Sequence, residues 1–125
     1  MKILFIISGS IAAKKSLNVL NILEKKRVYI NCIVTENAKK MINLNSLKSV
    51  IKGKIYTNSS EKNNKMLHIL LSRESDLIVV CPATANIIAK LANGYANDLA
   101  STALIAANKK ILIVPAMNVK MWNNS

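Results

Sequence analysis

Cysteine, proline, glycine, acidic and aromatic residues are all scarce in this chain of 125 residues. Aromatic residues make up 4% of the sequence and hydrophobic residues 51%, so the core has to consist of aliphatic side chains. Six acidic residues are too few to suggest a hydrolase with paired carboxylates. The two cysteines, Cys32 and Cys81, lie in separate apolar runs and form no CxxC pair, which indicates buried reduced thiols. We therefore expect one cytoplasmic domain.

A membrane or a nucleic acid is not an expected partner. No apolar stretch approaches the roughly 20 residues that a membrane-spanning helix needs. The opening run MKILFII ends at Ser8-Gly9-Ser10 without a cleavage pattern, so it is typical of a first strand rather than a signal peptide. The net charge of +12 first suggests nucleic acid. The lysines, however, are scattered singles and pairs without interleaved aromatics, which favours a surface whose field attracts small anionic ligands.

Four short apolar runs predict strands, over residues 2–7, 28–34, 76–80 and 111–114. The last two are almost continuously apolar, as expected of parallel strands buried on both faces. Helical spacing of apolar residues lies between the runs, over 11–26, 86–92 and 99–107. Residues 43–65 are the least readable, with a candidate strand at 54–56 and an exposed loop over 57–65.

This order of elements predicts an α/β fold in one domain that covers residues 1–125. The economical arrangement is a three-layer, Rossmann-like or flavodoxin-like open parallel sheet with helices on both faces. Ligands of such sheets bind beyond the carboxyl ends of the strands. The segments that follow the four predicted strands are therefore the candidates for a binding site.

Small and polar residues follow each of these strands. Ser8-Gly9-Ser10-Ile11 leads into a helix whose free N–H groups suit a phosphate, although plain close packing is an equal alternative. Thr35-Glu36-Asn37 offers a hydroxyl, for which simple N-capping is at least as good an interpretation. The last two strands each lead into proline, alanine and then asparagine, in Pro82-Ala83-Thr84-Ala85-Asn86 and Pro115-Ala116-Met117-Asn118. We expect Pro82 to end the third strand.

The single histidine, His68, stands just before the third strand. On spacing alone, a structural histidine is the favoured interpretation, with a general acid or base as the alternative. No histidine, cysteine or carboxylate partner stands at metal-ligand spacing, so no zinc site or other metal site is expected.

Two motifs give the sequence a family resemblance. Residues 82–87 (PATANI) are similar to the PASANT motif of the flavin-containing cysteine decarboxylases, and residues 115–122 (PAMNVKMW) match their PxMNxxMW motif. His68 matches the active-site histidine of that family. The resemblance covers nearly the whole chain and is strongest to the phosphopantothenoylcysteine decarboxylase domain of coenzyme A biosynthesis.

The resemblance implies FMN as the cofactor and FMN-dependent decarboxylation of phosphopantothenoylcysteine to phosphopantetheine as the activity. It implies that Asn118 holds the substrate carboxylate and that His68 assists oxidation of the substrate thiol. It further implies a homotrimer, or a dodecamer built from trimers, with FMN at a subunit interface. The residues implied to hold FMN are Gly9, Ser10, Ile11, Thr35, Thr84, Ala85, Asn86, Ile87 and Ala116.

The sequence departs from the family pattern after residue 122. Family members continue into a flap that covers the substrate and carries a cysteine proton donor, whereas this sequence stops at Ser125. We therefore expect a domain without the flap. A flavin-binding chain without complete decarboxylase activity and a non-enzymatic flavin-binding subunit are the alternatives. A flavin prenyltransferase is a further one, which the PxMNxxMW segment disfavours.

Overall fold

A computed structural model describes residues 1–63 and 66–115 of the chain. Its strands and helices alternate along most of the sequence. Short 3-10 helices at Ile11–Lys15 and Asn58–Asn63 complete the described part. The elements, in chain order, are β1 (Lys2–Ile7), α1 (Ser16–Glu24), β2 (Tyr29–Val34), α2 (Glu36–Lys39), α3 (Leu44–Val50), β3 (Ile55–Tyr56), α4 (Leu67–Glu74), β4 (Leu77–Ala83), α5 (Ala85–Ala92), α6 (Leu99–Ala106) and β5 (Lys110–Pro115).

The strands form one sheet in the order β3-β2-β1-β4-β5, and every pairing is parallel. Phe5 at the centre of β1 lies opposite Cys32 on one side and Val79 on the other. The chain builds outward from β1 to β3, returns to the other side of β1, and builds outward again to β5. The point where the strand order reverses therefore lies between β1 and β4, and the predicted α/β class with a parallel sheet is confirmed.

Two hydrophobic cores lie on opposite faces of this sheet. Alternate residues of β1 supply both, because side chains along a strand point to opposite faces. Ile3, Phe5 and Ile7 pack on the side of α1, α2 and α3. Leu4 and Ile6 pack on the side of α4, α5 and α6. The predicted three-layer arrangement follows, and it explains why β1 is apolar at successive positions rather than at every second one.

The prediction that Pro82 ends the third strand is wrong, because β4 continues through Pro82 to Ala83. Proline has no N–H to donate, and the pairing of β4 with β5 accommodates it by a register shift between Val80 and Ala83. The Cys81–Pro82 peptide bond is cis. The carbonyl groups of Cys81 and Pro82 accept hydrogen bonds from serine hydroxyls of Ser16 and Ser8.

Two other segments differ from the sequence-based expectation. The helix predicted over 11–26 divides into a 3-10 helix and α1, which ends at Glu24. The least readable segment contains α3, whose start is capped by the side chain of Asn43 accepting from the Asn45 N–H at 2.8 Å. The stretch predicted as an exposed loop over 57–65 includes a 3-10 helix. No helix in the described part of the chain is long and apolar enough to cross a membrane.

Candidate functional site

The carboxyl ends of β1 and β4 are joined by the side chain of Ser8, which is only 3% exposed. Its hydroxyl donates to the Pro82 carbonyl and accepts from the Thr84 N–H at 3.0 Å. The Ser8 N–H also donates to the Pro82 carbonyl, at 3.3 Å. These bonds hold the two strand ends together at the reversal of strand order, where open α/β sheets bind ligands.

Three helices begin near this edge of the sheet, and each start is capped by a hydroxyl side chain. Ser10 accepts from the Ala12 N–H at 3.1 Å and begins the first 3-10 helix. Thr35 caps α2 and Thr84 caps α5, each at 3.3 Å from the N–H three residues further on. The remaining free N–H groups of a helix start attract anions. The capping expected of Thr35 is confirmed.

A cavity of about 330 Å³ opens beyond these strand ends. This volume lies at the lower end of the range for small-molecule sites. The wall combines backbone, hydroxyl, amide and charged groups, so it suits a polar ligand better than a purely apolar one. The lining residues are Ser8, Gly9, Thr35, Glu36, Asn37, Asn58, Thr84, Asn86, Ile87, Lys90, Asn97 and Asp98.

Glycine is required at position 9 by the close approach of α2. A Cβ added to Gly9 would lie 2.3 Å from the Asn37 Cβ and 2.9 Å from the Asn37 carbonyl carbon. Contacts this short do not occur between unbonded carbon atoms, so a larger residue would push the two loops apart. Gly9 therefore sets the spacing between the β1 and β2 loops at the cavity.

One ion pair lies in the cavity wall, between Lys90 Nζ and Asp98 Oδ2 at 3.5 Å. Both side chains are mostly buried, with 18% and 17% exposed. Asp98 also begins α6 as a capping box, in which its Oδ1 accepts from the Ser101 N–H at 2.8 Å. Asn58 Oδ1 accepts from the Leu99 N–H at 3.2 Å at the same helix start. Asp98 thus joins the end of α5 to the start of α6 across the cavity wall.

His68 lies on α4 and is not among the residues that line the cavity. Its Nδ1 faces Glu61 Oε1 at 3.9 Å, which is too long for a hydrogen bond. Glu61 belongs to the second 3-10 helix, whose first residue, Asn58, does line the cavity. The structure therefore places His68 beside an element of the cavity wall rather than in the wall itself.

The structure brings five of the predicted cofactor residues to the cavity: Gly9, Thr35, Thr84, Asn86 and Ile87. The other predicted positions within the described residues do not line it. Ser10 caps the 3-10 helix, and the Ile11 side chain is 89% exposed. Ala85, the first residue of α5, is exposed. Ala116 and Asn118 lie outside the described residues.

Sequence reasoning missed the parts played by Ser8, Asn58, Lys90 and Asp98. For Asp98, the pattern Asp-x-x-Ser before an apolar run was a usable signal for a helix start. Ser8 stood in the segment already singled out, but its partner Pro82 is 74 residues away in sequence. Asn58 carried no local signal, because its contact with Leu99 joins segments 41 residues apart. Lys90 and its partner Asp98 lie close in sequence, but no sequence pattern marks that pair.

Neither cysteine is suited to act as a nucleophile in this site. Both are free thiols, and Cys32 is fully buried in β2. Burial raises the pKa of Cys32 far above its ordinary value, and the negative charge of Glu24 adds to this. Burial also raises the pKa of Cys81, while a hydrogen bond with Ser16 lowers it in part. Both thiols therefore stay protonated near neutral pH.

Within residues 1–63 and 66–115, no three side chains of metal-binding type come together.

The fold and this cavity define a class of protein: parallel α/β proteins that bind a polar, phosphate-bearing ligand at the reversal of strand order. Comparison with known families gives the assignment, because the flavoprotein family model matches residues 1–125. The chain belongs to the flavoprotein family. The recognition of the flavin-containing cysteine decarboxylases from the sequence motifs is thereby confirmed.

Curated relatives agree with this assignment. The chain is 36% identical over 124 residues to the coenzyme A biosynthesis bifunctional protein CoaBC of Bacillus subtilis, covering 98% of this chain and 30% of that protein. It is 34% identical over 127 residues to the probable phosphopantothenoylcysteine decarboxylase of Streptococcus mutans, covering 98% of this chain and 71% of that protein. The chain thus spans under a third of the length of CoaBC and most of the S. mutans protein.

Solved structures show the same fold. The FMN-dependent cysteine decarboxylase TvaF from thioviridamide biosynthesis matches with a TM-score of 0.90 and 26% identity, covering 99% of this chain and 78% of that one. A PPC decarboxylase mutant complexed with pantothenoylaminoethenethiol matches with a TM-score of 0.85 and 31% identity, covering 98% and 70%. The solved relatives are therefore decarboxylases, as expected from the sequence, and FMN is the cofactor that the first of them uses.

Proposed function

We propose that this chain binds FMN in the cavity at the β1 and β4 ends and catalyses the decarboxylation of phosphopantothenoylcysteine to phosphopantetheine. One observation carries the proposal. In a chain of the flavoprotein family, the cavity at the reversal of strand order collects two hydroxyl-capped helix starts, a glycine and an amide. These are the groups that a phosphate-bearing cofactor needs.

The described residues fit FMN. The hydroxyls of Thr35 and Thr84 each accept one backbone N–H, which leaves the proton of each hydroxyl to donate to a ligand oxygen. Gly9 lines the cavity and lets α2 approach closely at Asn37. Asn86 and Ile87, on the first turn of α5, would contact the cofactor directly. The proposed contacts of Ser10, Ile11, Ala85 and Ala116 follow from the family motifs.

FMN, when bound, supplies the two-electron redox chemistry of the reaction. The protein contributes orientation and proton handling. His68 would accept the proton of the substrate thiol, and the Asn118 amide would hold the substrate carboxylate. Both roles rest on the match of these residues to the family motifs.

Phosphopantothenoylcysteine is favoured over a peptide substrate by the curated relatives. The chain is 34% and 36% identical to the proteins named for coenzyme A biosynthesis or phosphopantothenoylcysteine decarboxylation. The solved structures do not separate the two substrates, because the chain is 31% identical to the PPC decarboxylase and 30% identical to the peptidyl-cysteine decarboxylase EpiD. This comparison also favours a decarboxylase over the alternative of a flavin-binding chain without decarboxylase activity. That residues 1–125 form one flavoprotein domain remains our proposal.

We further propose that the chain works in the cytoplasm as a homotrimer, or as a dodecamer built from trimers. Uncovered apolar side chains support an assembly. Leu112 and Val114 of the edge strand β5 are 53% and 41% exposed, and Ile22 of α1 is 59% exposed. Leu112 pairs with Val79 in register, so it lies on the same face of the sheet as α1. Burial of these side chains between subunits would remove them from water.

The test begins with the purified chain and FMN. We expect a bound flavin spectrum and a rise in unfolding temperature with added FMN. Incubation with phosphopantothenoylcysteine should release carbon dioxide and form phosphopantetheine. His68→Asn should bind FMN with unchanged affinity and lose turnover.

Each outcome separates the proposals. A protein that binds no flavin would refute the whole assignment. An FMN-loaded protein that fails to turn over phosphopantothenoylcysteine would refute the activity and leave the flavin-binding alternative. Full turnover by His68→Asn would refute the role of that histidine alone.

A further inference from the structure

Two buried polar atoms face each other beside the cavity wall, Glu61 Oε1 and His68 Nδ1. Both atoms are inaccessible to solvent and have no hydrogen-bond partner in the described part of the chain. They lie 3.9 Å apart, which is about 1 Å beyond a hydrogen bond. The His68 side chain as a whole is 21% exposed, so its exposed surface lies elsewhere than at Nδ1.

When the imidazole is neutral, the chemistry of the two groups allows one pairing. An ionised carboxylate only accepts hydrogen bonds, whereas a neutral imidazole donates from one nitrogen and accepts at the other. Buried polar atoms in folded proteins are nearly always paired. A movement of about 1 Å would therefore form a bond in which Nδ1–H donates to Glu61, and this leaves Nε2 without a proton.

The position of the His68 backbone is well fixed. Leu67 and Leu71 of α4 are buried in the core, and Ser72 Oγ donates to the Ala103 carbonyl of α6 at 2.8 Å. The helix that carries His68 is thus anchored to the sheet and to α6. Glu61, on the neighbouring 3-10 helix, has only to adjust its own side chain.

No other described carboxylate competes for this nitrogen. The α6 helix, which packs on α4, carries no ionisable side chain. Glu74 stands at the opposite end of α4 from His68. Lys62, beside Glu61, is exposed and carries the opposite charge.

We propose that Glu61 is a positioning residue for His68, which holds the imidazole as the Nδ1–H tautomer and leaves Nε2 as the proton acceptor. Its consequence for turnover rests on the proposed function, in which the S–H bond of the substrate breaks and an Nε2–H bond forms. The choice of tautomer does not rest on the proposed function, because the tautomer is present in the protein without substrate.

The chain has a single histidine, so its imidazole signals need no assignment. We would label histidine with nitrogen-15 and record long-range proton–nitrogen correlations of the purified full chain, with and without FMN, at a pH where the ring is neutral. The expected result is a protonated Nδ1 and an unprotonated Nε2. Glu61→Ala should shift the ring toward the Nε2–H tautomer.

Two further variants keep this test interpretable. Glu61→Gln retains an accepting oxygen and should keep the Nδ1–H tautomer. Glu74→Ala, which removes the carboxylate at the other end of α4, should leave the signals unchanged. A wild-type Nε2–H tautomer, or a Glu61→Ala spectrum identical to wild type, would overturn the proposal.

Turnover then separates this proposal from the proposed function. With unchanged FMN affinity, Glu61→Ala should lower kcat by about 10-fold or more, and by no more than the roughly 10²- to 10⁴-fold that a general base contributes. Glu61→Gln should restore most of the rate. If the tautomer shifts as expected while His68→Asn is fully active, the catalytic role of His68 fails and the positioning by Glu61 stands. If His68→Asn is inactive and Glu61→Ala keeps full kcat, the positioning has no catalytic consequence and that part is overturned.

Discussion

Ser8→Ala tests whether the join between β1 and β4 stabilises the fold. Among the described residues, the Ser8 hydroxyl is the side-chain group that bonds both strand ends, donating to the Pro82 carbonyl and accepting from the Thr84 N–H. Alanine keeps the backbone and nearly the same volume, so the change removes two hydrogen bonds and little packing. The Pro82 carbonyl retains the Ser8 N–H as a donor at 3.3 Å.

The expected loss follows from the groups left behind. An unpaired, partly buried Thr84 N–H costs about 1–2 kcal/mol, and loss of the second donor to the buried Pro82 carbonyl costs about 0.5–1.5 kcal/mol. Together these give a decrease of about 1.5–3.5 kcal/mol in the free energy of unfolding. This is a large share of the roughly 5–15 kcal/mol that typically separates folded from unfolded protein.

Urea unfolding of the protein without FMN measures this loss. At a typical slope of about 1–3 kcal/mol per molar urea, the midpoint should fall by about 0.5–3.5 M. The matched control is Ser49→Ala, whose exposed hydroxyl donates only to the Ser46 carbonyl within α3. It should change stability by less than about 0.5 kcal/mol. Equal midpoints for Ser8→Ala and Ser49→Ala would refute the argument.

Two other changes test the cavity and the sheet. Gly9→Ala should lower the free energy of unfolding by about 1–3 kcal/mol and weaken FMN binding, because the added Cβ collides with Asn37. Urea unfolding measures the first effect and flavin titration the second. Unchanged values of both would contradict the spacing role of Gly9. Burial raises the pKa of Cys32 above its ordinary value of 9.0, so its contribution to stability is present below about pH 9 and is lost as pH rises further. Between pH 8 and pH 10, in reducing buffer, the free energy of unfolding of the wild type should fall by about 1.4 kcal/mol relative to that of Cys32→Val. An equal fall in both proteins would contradict a raised pKa of the Cys32 thiol.

Strand positions were predictable from the sequence because the strands are buried on both faces. β1 was predicted with its observed bounds, and β2 and β5 within one residue. The end of β4 was mispredicted because proline usually ends a strand. Here the hydroxyls of Ser8 and Ser16 satisfy the carbonyl groups that the irregular pairing leaves free.

The parts of the candidate site that are helix N-caps were predictable from the sequence. Thr35 and Thr84 follow buried strands and precede helices, so their positions at the cavity could be inferred from the sequence. Asn58 could not, because it reaches the start of α6 from 41 residues away. Glu61 was equally hidden, since its proximity to His68 depends on how the second 3-10 helix folds back on α4.

The hydroxyls around the cavity are of two kinds. Some donate their proton to a group of the protein itself, and others keep a proton that can be donated to a ligand. Ser8 has one proton, and it is committed to the Pro82 carbonyl, so this residue contributes to the fold rather than to recognition. Thr35 and Thr84 use only lone pairs in capping α2 and α5, and their protons remain available. Substitution of Thr35 or Thr84 would therefore change a group that faces the ligand and would remove one helix cap, at a loss in stability of about 1 kcal/mol each. A change at Ser8 disturbs the point on which both strand ends depend, whatever ligand the cavity holds.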